Sequence, residues 1–219
     1  IDRFATAVLP TPMSTAQSEL PLALIAYDPE GREIARHRFG RLPRNHRTAI
    51  EMDSLVDGNL GQGFGHLELV YDFAEGGMAD GWLHGLFRYR ERRSGHAAET
   101  SFGAHIFNTV LTYRGEPQSY TGAPPGLSTR LFLRLGPAPL ETMCHLIYPA
   151  STPWRGTSET DLSLQRKDGT EVARRRLPIP CGGSRLWRYG EMFSAAERET
   201  AGENAAIIIR DASCRLFGY

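Results

Sequence analysis

The sequence predicts an all-β protein made of two antiparallel β-sandwiches in tandem. Three observations favour this architecture. Short apolar runs separated by turn residues follow one another at intervals of about 10 to 15 residues, which is typical of strands in a sandwich. A stretch of the first half recurs in the second half. Glycine and proline, 23 and 14 of the 219 residues, exceed their average combined usage of about 12% and supply turns.

The recurring stretch is the clearest organising feature of the chain. Residues 31–39 match residues 169–177 at an offset of 138, with one Gly, one Glu, one Ala and two Arg identical. With small gaps the match extends to further pairs, namely Ile50 with Trp187, 69–71 with 207–209, and 86–89 with 216–219. Self-similarity at a fixed spacing indicates a repeated structural unit, so we expect two modules of one fold, immunoglobulin-like in architecture.

The individual elements are expected mainly as strands. The Asp168-Gly169 pair is a hairpin signal, and Gly31 ends the equivalent turn of the first module. Residues 193–200 predict a helix of one or two turns, with Ser194 as its N-cap. The expected strands cover 22–27, 33–39, 48–52, 65–73, 81–89 and 162–167.

A segment rich in Pro and Gly, residues 114–128, is predicted to link the modules because it sustains neither a helix nor a central strand. The first domain is then residues 1–113 and the second residues 129–219. The second domain stops where the first continues through 101–113, so we expect its final strand to be missing or supplied from elsewhere. The first domain carries 11 basic and 14 acidic residues, and the remainder 14 and 11, so the two halves have opposite net charge.

Residues 42–55, LPRNHRTAIEMDSL, follow a predicted hairpin and precede a strand that begins at a glycine. This segment resembles the corresponding part of the sensory rhodopsin transducer family, over about 60 residues of each repeat. The resemblance implies a small β-sandwich that binds partners and has no enzymatic role. The present chain departs from that family in being duplicated, and no binding residue is carried over.

Arginine stripes are the main candidates for partner binding. Of the 25 basic residues only Lys167 is a lysine, a bias explained first by codon composition, although guanidinium groups also suit interfaces. On an alternating strand Arg88, Arg90 and Arg92 share one face. The further candidates are Tyr120, Trp154, Arg174 and Arg176.

Metal and nucleophile chemistry is less well supported by the sequence. His96, Glu99 and His105 are the candidates for a metal site, but their spacing matches no established ligand pair, so no metal is expected. His66 and Glu68 share a strand face and are interpreted as a solvated contact. The three cysteines, Cys144, Cys181 and Cys214, lack the spacing of a zinc or redox motif; a bridge between Cys144 and Cys214 is one alternative, and three reduced thiols is the favoured one.

The function predicted from these observations is that of a non-enzymatic accessory or scaffold protein that binds a protein partner or forms a homo-oligomer. An alternative is a small-molecule or carbohydrate-binding module that uses Trp82, Trp154 or Trp187 as a stacking platform. A third is a metal enzyme or hydrolase built on His84, His96 and His105. No cofactor is expected, because no nucleotide-binding or hydrolase motif is present.

Charge and hydropathy limit the classes of partner and compartment. Lys+Arg and Asp+Glu both number 25, which argues against nucleic acid as the partner. No apolar run approaches the roughly 18 residues of a membrane span. The chain starts at Ile1 and is expected to be a fragment or processed product; no leader is visible, which favours the cytoplasm, although a removed leader would leave no trace.

Overall fold

The computed structural model describes residues 3–13, 17–56, 63–72, 74, 82–102, 112–113, 116–117, 128–137, 139–149 and 155–218. The chain divides into two compact units, Ile1–His105 and Ile106–Tyr219. Most of the predicted linker lies outside the described residues. Where its start is described, Glu116–Pro117 pairs with Thr112–Tyr113 as a short ladder. The predicted domain boundaries therefore stay a prediction.

The first unit is built from strands and one short helix. These elements are β1 (Phe4–Met13), β2 (Glu19–Tyr27), β3 (Glu33–Pro43), β4 (Ile50–Glu51), α1 (Met52–Val56), β5 (His66–Tyr71), β6 (Trp82–Glu91) and β7 (Ala97–Phe102). They form two antiparallel sheets, in the orders β4-β1-β6-β7 and β3-β2-β5. Val8 of β1 and Leu24 of β2 lie in one buried cluster with Met52 of α1, so side chains of both sheets share a core.

The second unit has a similar set of elements. They are β8 (Thr112–Tyr113), β9 (Glu116–Pro117), β10 (Thr129–Arg134), β11 (Met143–Ile147), β12 (Asp161–Gln165), β13 (Glu171–Arg176), β14 (Ser184–Arg188), α2 (Tyr189–Met192), α3 (Ala195–Ala201), β15 (Ala206–Asp211) and β16 (Phe217–Gly218). The main sheets have the orders β10-β15-β12-β13 and β14-β11-β16. Leu146 and Trp187 from one sheet pack with Leu164 and Ile209 from the other. The expectation of an all-β chain is thus confirmed.

The two units share one pairing scheme. In the first, β2 lies between β3 and β5 while β1 lies between β4 and β6; in the second, β12 lies between β13 and β15 while β11 lies between β14 and β16. The sheet that contains β12 has an additional strand, because β10 pairs with the side of β15 that faces away from β12. Among the described residues, no strand occupies that position beside β5.

The hairpins at the repeated sequence agree in detail. In each, a glycine with positive φ occupies the turn, 84° at Gly31 and 87° at Gly169; only glycine adopts this conformation without strain. The ladder shifts register between Ala26 and Tyr27 in one hairpin and between Leu164 and Gln165 in the other. These positions are 138 residues apart, as the sequence alignment predicts.

Elsewhere the structure corrects the alignment. Leu24 pairs with Leu69, and its counterpart Leu162 pairs with Ile209. Leu69 therefore corresponds to Ile209, two residues beyond the position expected from the sequence. A slip of two residues keeps every side chain on the same face, which is why the alternating pattern alone does not reveal it.

The helices confirm one expectation and change another. α3 begins after Ser194, whose hydroxyl accepts from the Glu197 N–H while the Glu197 side chain accepts from the Ser194 N–H; this is a capping box. The strand expected over 48–52 is limited to Ile50 and Glu51, because Met52 begins α1 and buries its side chain in the core. In the described part of the chain, no helix has the length and apolar character needed to cross a membrane.

Candidate functional site

The outer face of the sheet β10-β15-β12-β13 carries the strongest candidate site. Directly paired residues of antiparallel strands point to the same face, so the ladders define three rows across this sheet. The rows are Arg130–Arg210–Asp161–Arg176, Phe132–Ile208–Ser163–Arg174 and Arg134–Ala206–Gln165–Glu171. We call these twelve residues the arginine face.

The arginine face has five guanidinium groups and two carboxylates. Arg174 donates to Glu171 at 2.8 Å and lies 3.9 Å from Asp161 Oδ2. The hydrogen bonds from Arg174 and from Ser163 hold the pKa of Glu171 below its usual range, so both partners are charged. In contrast, Arg130, Arg134 and Arg176 make no ion pair with any residue that the structure describes. The face therefore retains positive charge after its internal pairs are formed.

One row places like charges side by side. Arg130 is directly opposite Arg210, and directly opposed like charges destabilise a sheet by about 0.2–1 kcal/mol. Asp161 is the one carboxylate in that row, and it is opposite Arg210 on the other side. Arg130 and Arg210 are both exposed, and two exposed arginines at paired positions suit an anionic group, since each guanidinium presents several donors with fixed geometry.

Exposure differs across the arginine face. At its centre Ser163, Ile208 and Ala206 expose only 5%, 7% and 9% of their surface. Phe132, which pairs with Ile208, exposes 68%. An aromatic ring so far out of the core, framed by arginines, is a composition typical of protein interfaces.

The equivalent face of the first unit has a different character. The counterparts of Ala206 and Ile208 are His66 and Glu68, and both are buried, exposing 5% and 8%. This overturns the interpretation of that pair as a solvated contact. Their side chains lie 3.5 Å apart, and the Tyr27 ring stacks on His66 with centroids 5.2 Å apart. Burial, with the Glu68 carboxylate nearby, raises the pKa of Tyr27 to about 12.

Of the predicted stripe, Arg88 and Arg90 lie on β6 while Arg92 follows its end, and most of the stripe is paired. Arg88 donates from Nε to Glu99 at 2.6 Å across the β6–β7 ladder. Arg92 donates to both carboxylate oxygens of Asp53 at 2.6 and 2.5 Å, and this contact lowers the pKa of Asp53. Arg90 is exposed between them. Two of the three guanidinium groups are therefore engaged with carboxylates of their own unit.

The remaining predicted site residues are dispersed. Tyr120, Trp154 and His105 lie outside the described residues. Of the proposed metal set, His96 is exposed in the approach to β7, while Glu99 is held by Arg88. Within the described part of the chain, no three His, Cys, Asp or Glu side chains form a metal-binding group. His84 lies on β6, opposite Thr11.

Trp187 and the three cysteines lie in or against the hydrophobic core of the second unit. Trp187 exposes 4% of its surface within the core, which excludes it as a stacking platform; the side chains of Trp82 and Trp154 are outside the described part. Cys144 and Cys214 are buried free thiols, and Cys181 is half-buried. Burial raises the pKa of Cys144 to about 12, which suppresses the reactive thiolate.

Sequence reasoning found Arg174 and Arg176 and missed the β10 side of the arginine face. The signal is the stretch Thr129–Arg134, in which Arg130, Phe132 and Arg134 occupy every second position between apolar residues. An aromatic residue on the polar side of an alternating strand departs from the expected pattern. Arg210 could be assigned to this face only once the strand order was known, because it lies 80 residues along the chain from Arg130.

Comparison of the chain with protein-family models, with curated proteins and with solved structures finds no match.

Proposed function

We propose that this protein is a non-enzymatic scaffold whose second unit binds a protein partner through the arginine face. The observation that carries the proposal is the directly paired arginines Arg130 and Arg210 beside the exposed Phe132. Three of the arginines, Arg130, Arg134 and Arg176, form no ion pair with a described residue, so we infer that a ligand supplies the complementary negative charge.

The partner is a protein with an acidic surface. Two copies of the arginine face repel each other, because each has five guanidinium groups and two carboxylates. Phe132 supplies apolar contact area that a purely electrostatic anion site does not need. The neutral total charge of the chain gives no long-range attraction for nucleic acid.

The scaffold role is supported by the repeated architecture. We infer that the two units are tandem β-sandwiches, immunoglobulin-like in layout, that arose from one duplicated module. The shared strand order, the equal register shifts and the matching turn glycines support this inference. A partner-binding role is also what the resemblance of residues 42–55 to the sensory rhodopsin transducer family implies.

Site-specific photocrosslinking tests the proposal. The photoreactive residue p-benzoylphenylalanine is placed at Phe132 in the full chain and, as a control, at Leu140, which is 67% exposed and lies outside the arginine face. After irradiation in an extract of the source cells, the adduct is identified by mass spectrometry, and the complex is reconstituted from purified partner by titration calorimetry.

We expect one discrete protein adduct at position 132, absent at position 140, and lost when Arg174→Gln and Arg176→Gln are combined. Identical adducts at both positions would contradict the proposal. So would an adduct with nucleic acid in place of protein. A homodimeric adduct, with a doubled mass in light scattering, would replace partner binding by self-assembly.

A further inference from the structure

The strand β10 lies at the edge of its sheet. Its inner side pairs with β15 over six residue pairs, from Thr129 with Asp211 to Arg134 with Ala206. No strand pairs with its outer side in the part of the chain that the structure describes. The outward N–H and C=O groups of an edge strand are a template on which another extended chain adds.

The side chains of β10 alternate strictly between two environments. Leu131 and Leu133 pack against the core of the second unit, while Arg130, Phe132 and Arg134 point to the arginine face. An extended chain has nearly the same repeat per two residues as the strand beside it, about 6.6–6.8 Å. A strand added to β10 therefore places every second side chain directly opposite Arg130, Phe132 and Arg134.

Charged residues on an edge strand can serve only to prevent edge-to-edge aggregation. Two observations on β10 are not explained by that role. Phe132 is 68% exposed between the two arginines, and a large apolar side chain on an open edge promotes association. Arg130 also faces Arg210 across the ladder, an opposition of like charges that protection of the outer edge does not require.

We propose that the outer edge of β10 accepts an extended acidic segment of the protein partner as an added strand. The segment has an acidic residue, an apolar residue and a second acidic residue at alternate positions. The acidic side chains lie opposite Arg130 and Arg134, and the apolar one lies against Phe132. This inference rests on the proposed function and specifies the chemistry of the partner.

Two kinds of interaction stabilise the added strand, and they differ in their response to salt. Backbone hydrogen bonds to the outer side of β10 give affinity without sequence preference. Pairing of carboxylates with Arg130 and Arg134 gives selectivity, and because these groups are exposed it weakens as salt screens them within about 8–10 Å. Binding is therefore expected to weaken, without being abolished, between low and high salt.

Two peptides of identical composition test the alternation. The first is Thr-Glu-Val-Phe-Val-Glu-Thr, in which both Glu side chains share a face with Phe. The second is Thr-Val-Glu-Phe-Glu-Val-Thr, in which the Glu side chains lie on the face opposite to Phe. Each carries a fluorophore, and its binding to the full chain is measured by fluorescence anisotropy at low and at physiological salt.

We expect the first peptide to bind at least about tenfold more tightly than the second, since opposing charge pairs differ between them. N-methylation of alternate amides on the edge-facing side of the first peptide is expected to remove binding, because it removes the backbone donors. On the protein, Arg130→Gln and Arg134→Gln are each expected to weaken binding about 3- to 10-fold.

Arg166→Gln is the matched control, because Arg166 is an exposed arginine of the same unit that lines a hollow with Thr200 and Glu203, away from β10. It is expected to leave the affinity unchanged. All three substituted arginines are exposed, and circular dichroism of each variant establishes that the fold is retained.

Equal binding of the two peptides, or unchanged binding after N-methylation, would overturn the added strand. A single-stranded oligonucleotide that competes better than the first peptide would identify the face as a nucleic-acid site and also overturn it. If the peptides fail while the crosslink at Phe132 still captures a specific protein, strand addition is wrong and the proposed function stands. If both fail, the proposed function fails with it.

Discussion

Replacement of Asp211 by alanine tests how the second unit closes the end of its four-stranded sheet. Asp211 exposes 2% of its surface and accepts four hydrogen bonds. Its Oδ1 accepts from the Ser213 N–H at 2.7 Å, the Ser213 hydroxyl at 2.6 Å and the Cys214 N–H at 3.0 Å, while its Oδ2 accepts from the Thr160 hydroxyl at 2.9 Å. The carboxylate therefore ties β15 to segments that lie far apart in the sequence.

The expected cost follows from these bonds. Hydrogen bonds to a charged group contribute about 1.5–3 kcal/mol each, and a buried donor left without a partner costs about 1–3 kcal/mol. The effects are not additive because the four donors share one acceptor. We expect Asp211→Ala to lower the free energy of unfolding by about 3–4 kcal/mol, and the melting temperature of a unit of this size by more than about 12 °C.

Urea unfolding followed by tryptophan fluorescence measures this loss, with calorimetry as a second observable. Glu159→Gln is the control, since Glu159 is an exposed carboxylate of the same unit and its replacement should change the free energy by less than about 0.5 kcal/mol. A loss below about 1 kcal/mol for Asp211→Ala would show that the cluster does not hold the sheet, and would refute the reasoning.

The same carboxylate makes stability depend on pH. Burial alone would raise the pKa of Asp211, but the hydrogen bonds from Ser213, Thr160 and Cys214 outweigh burial and hold it below its usual range. Ionised Asp211 therefore stabilises the fold above its unfolded pKa of about 3.9, and this contribution is lost as the pH falls through the lower folded-state pKa. The stability difference from Asp211→Asn should be full at pH 7 and shrink below about pH 4; a difference that is constant with pH would contradict this.

Three further predictions concern the second unit. Gly169→Ala places a Cβ at φ 87° and should cost about 1–2 kcal/mol, whereas Gly156→Ala, whose added Cβ meets open space, should be nearly neutral in urea unfolding; equal effects would remove the turn argument. Ser194→Ala breaks the capping box of α3 and should lower the free energy of unfolding by about 1 kcal/mol. Urea unfolding measures this loss, with Thr200→Ala as the control. A loss no larger than that of Thr200→Ala would show that the cap is dispensable. Ellman titration of the native chain should label Cys181 before the two buried thiols, and simultaneous labelling of all three would contradict their burial.

Local features were predictable where neighbours in sequence determine them. The turn glycines, the alternation of the hairpin strands and the Ser194 cap depend on residues within a few positions of each other. The alternation of polar and apolar residues on β10 was equally visible in the sequence. That it forms part of the arginine face depended on which strand lies beside it.

Features set by distant partners were not predictable in this way. Asp211 meets Thr160 across 51 residues, and Arg130 meets Arg210 across 80. The two-residue slip between β5 and β15 preserves the facing of every side chain, so the hydrophobic pattern is the same in either register. The burial of His66 and Glu68 likewise has no signature in their own strand, because a polar alternation ordinarily indicates solvent.

The matching hairpins have a consequence for how the chain reaches its native state. The hairpins β2–β3 and β12–β13 share the turn conformation and the register shift next to the turn, and exchange of equivalent strands is a characteristic misfolding route of tandem repeats. Side chains must provide the discrimination. A β5 strand carrying His66 and Glu68 in the position of Ala206 and Ile208 would bring an imidazole and a carboxylate to the buried centre of the arginine face, so the divergence of these two strands penalises the wrong assembly.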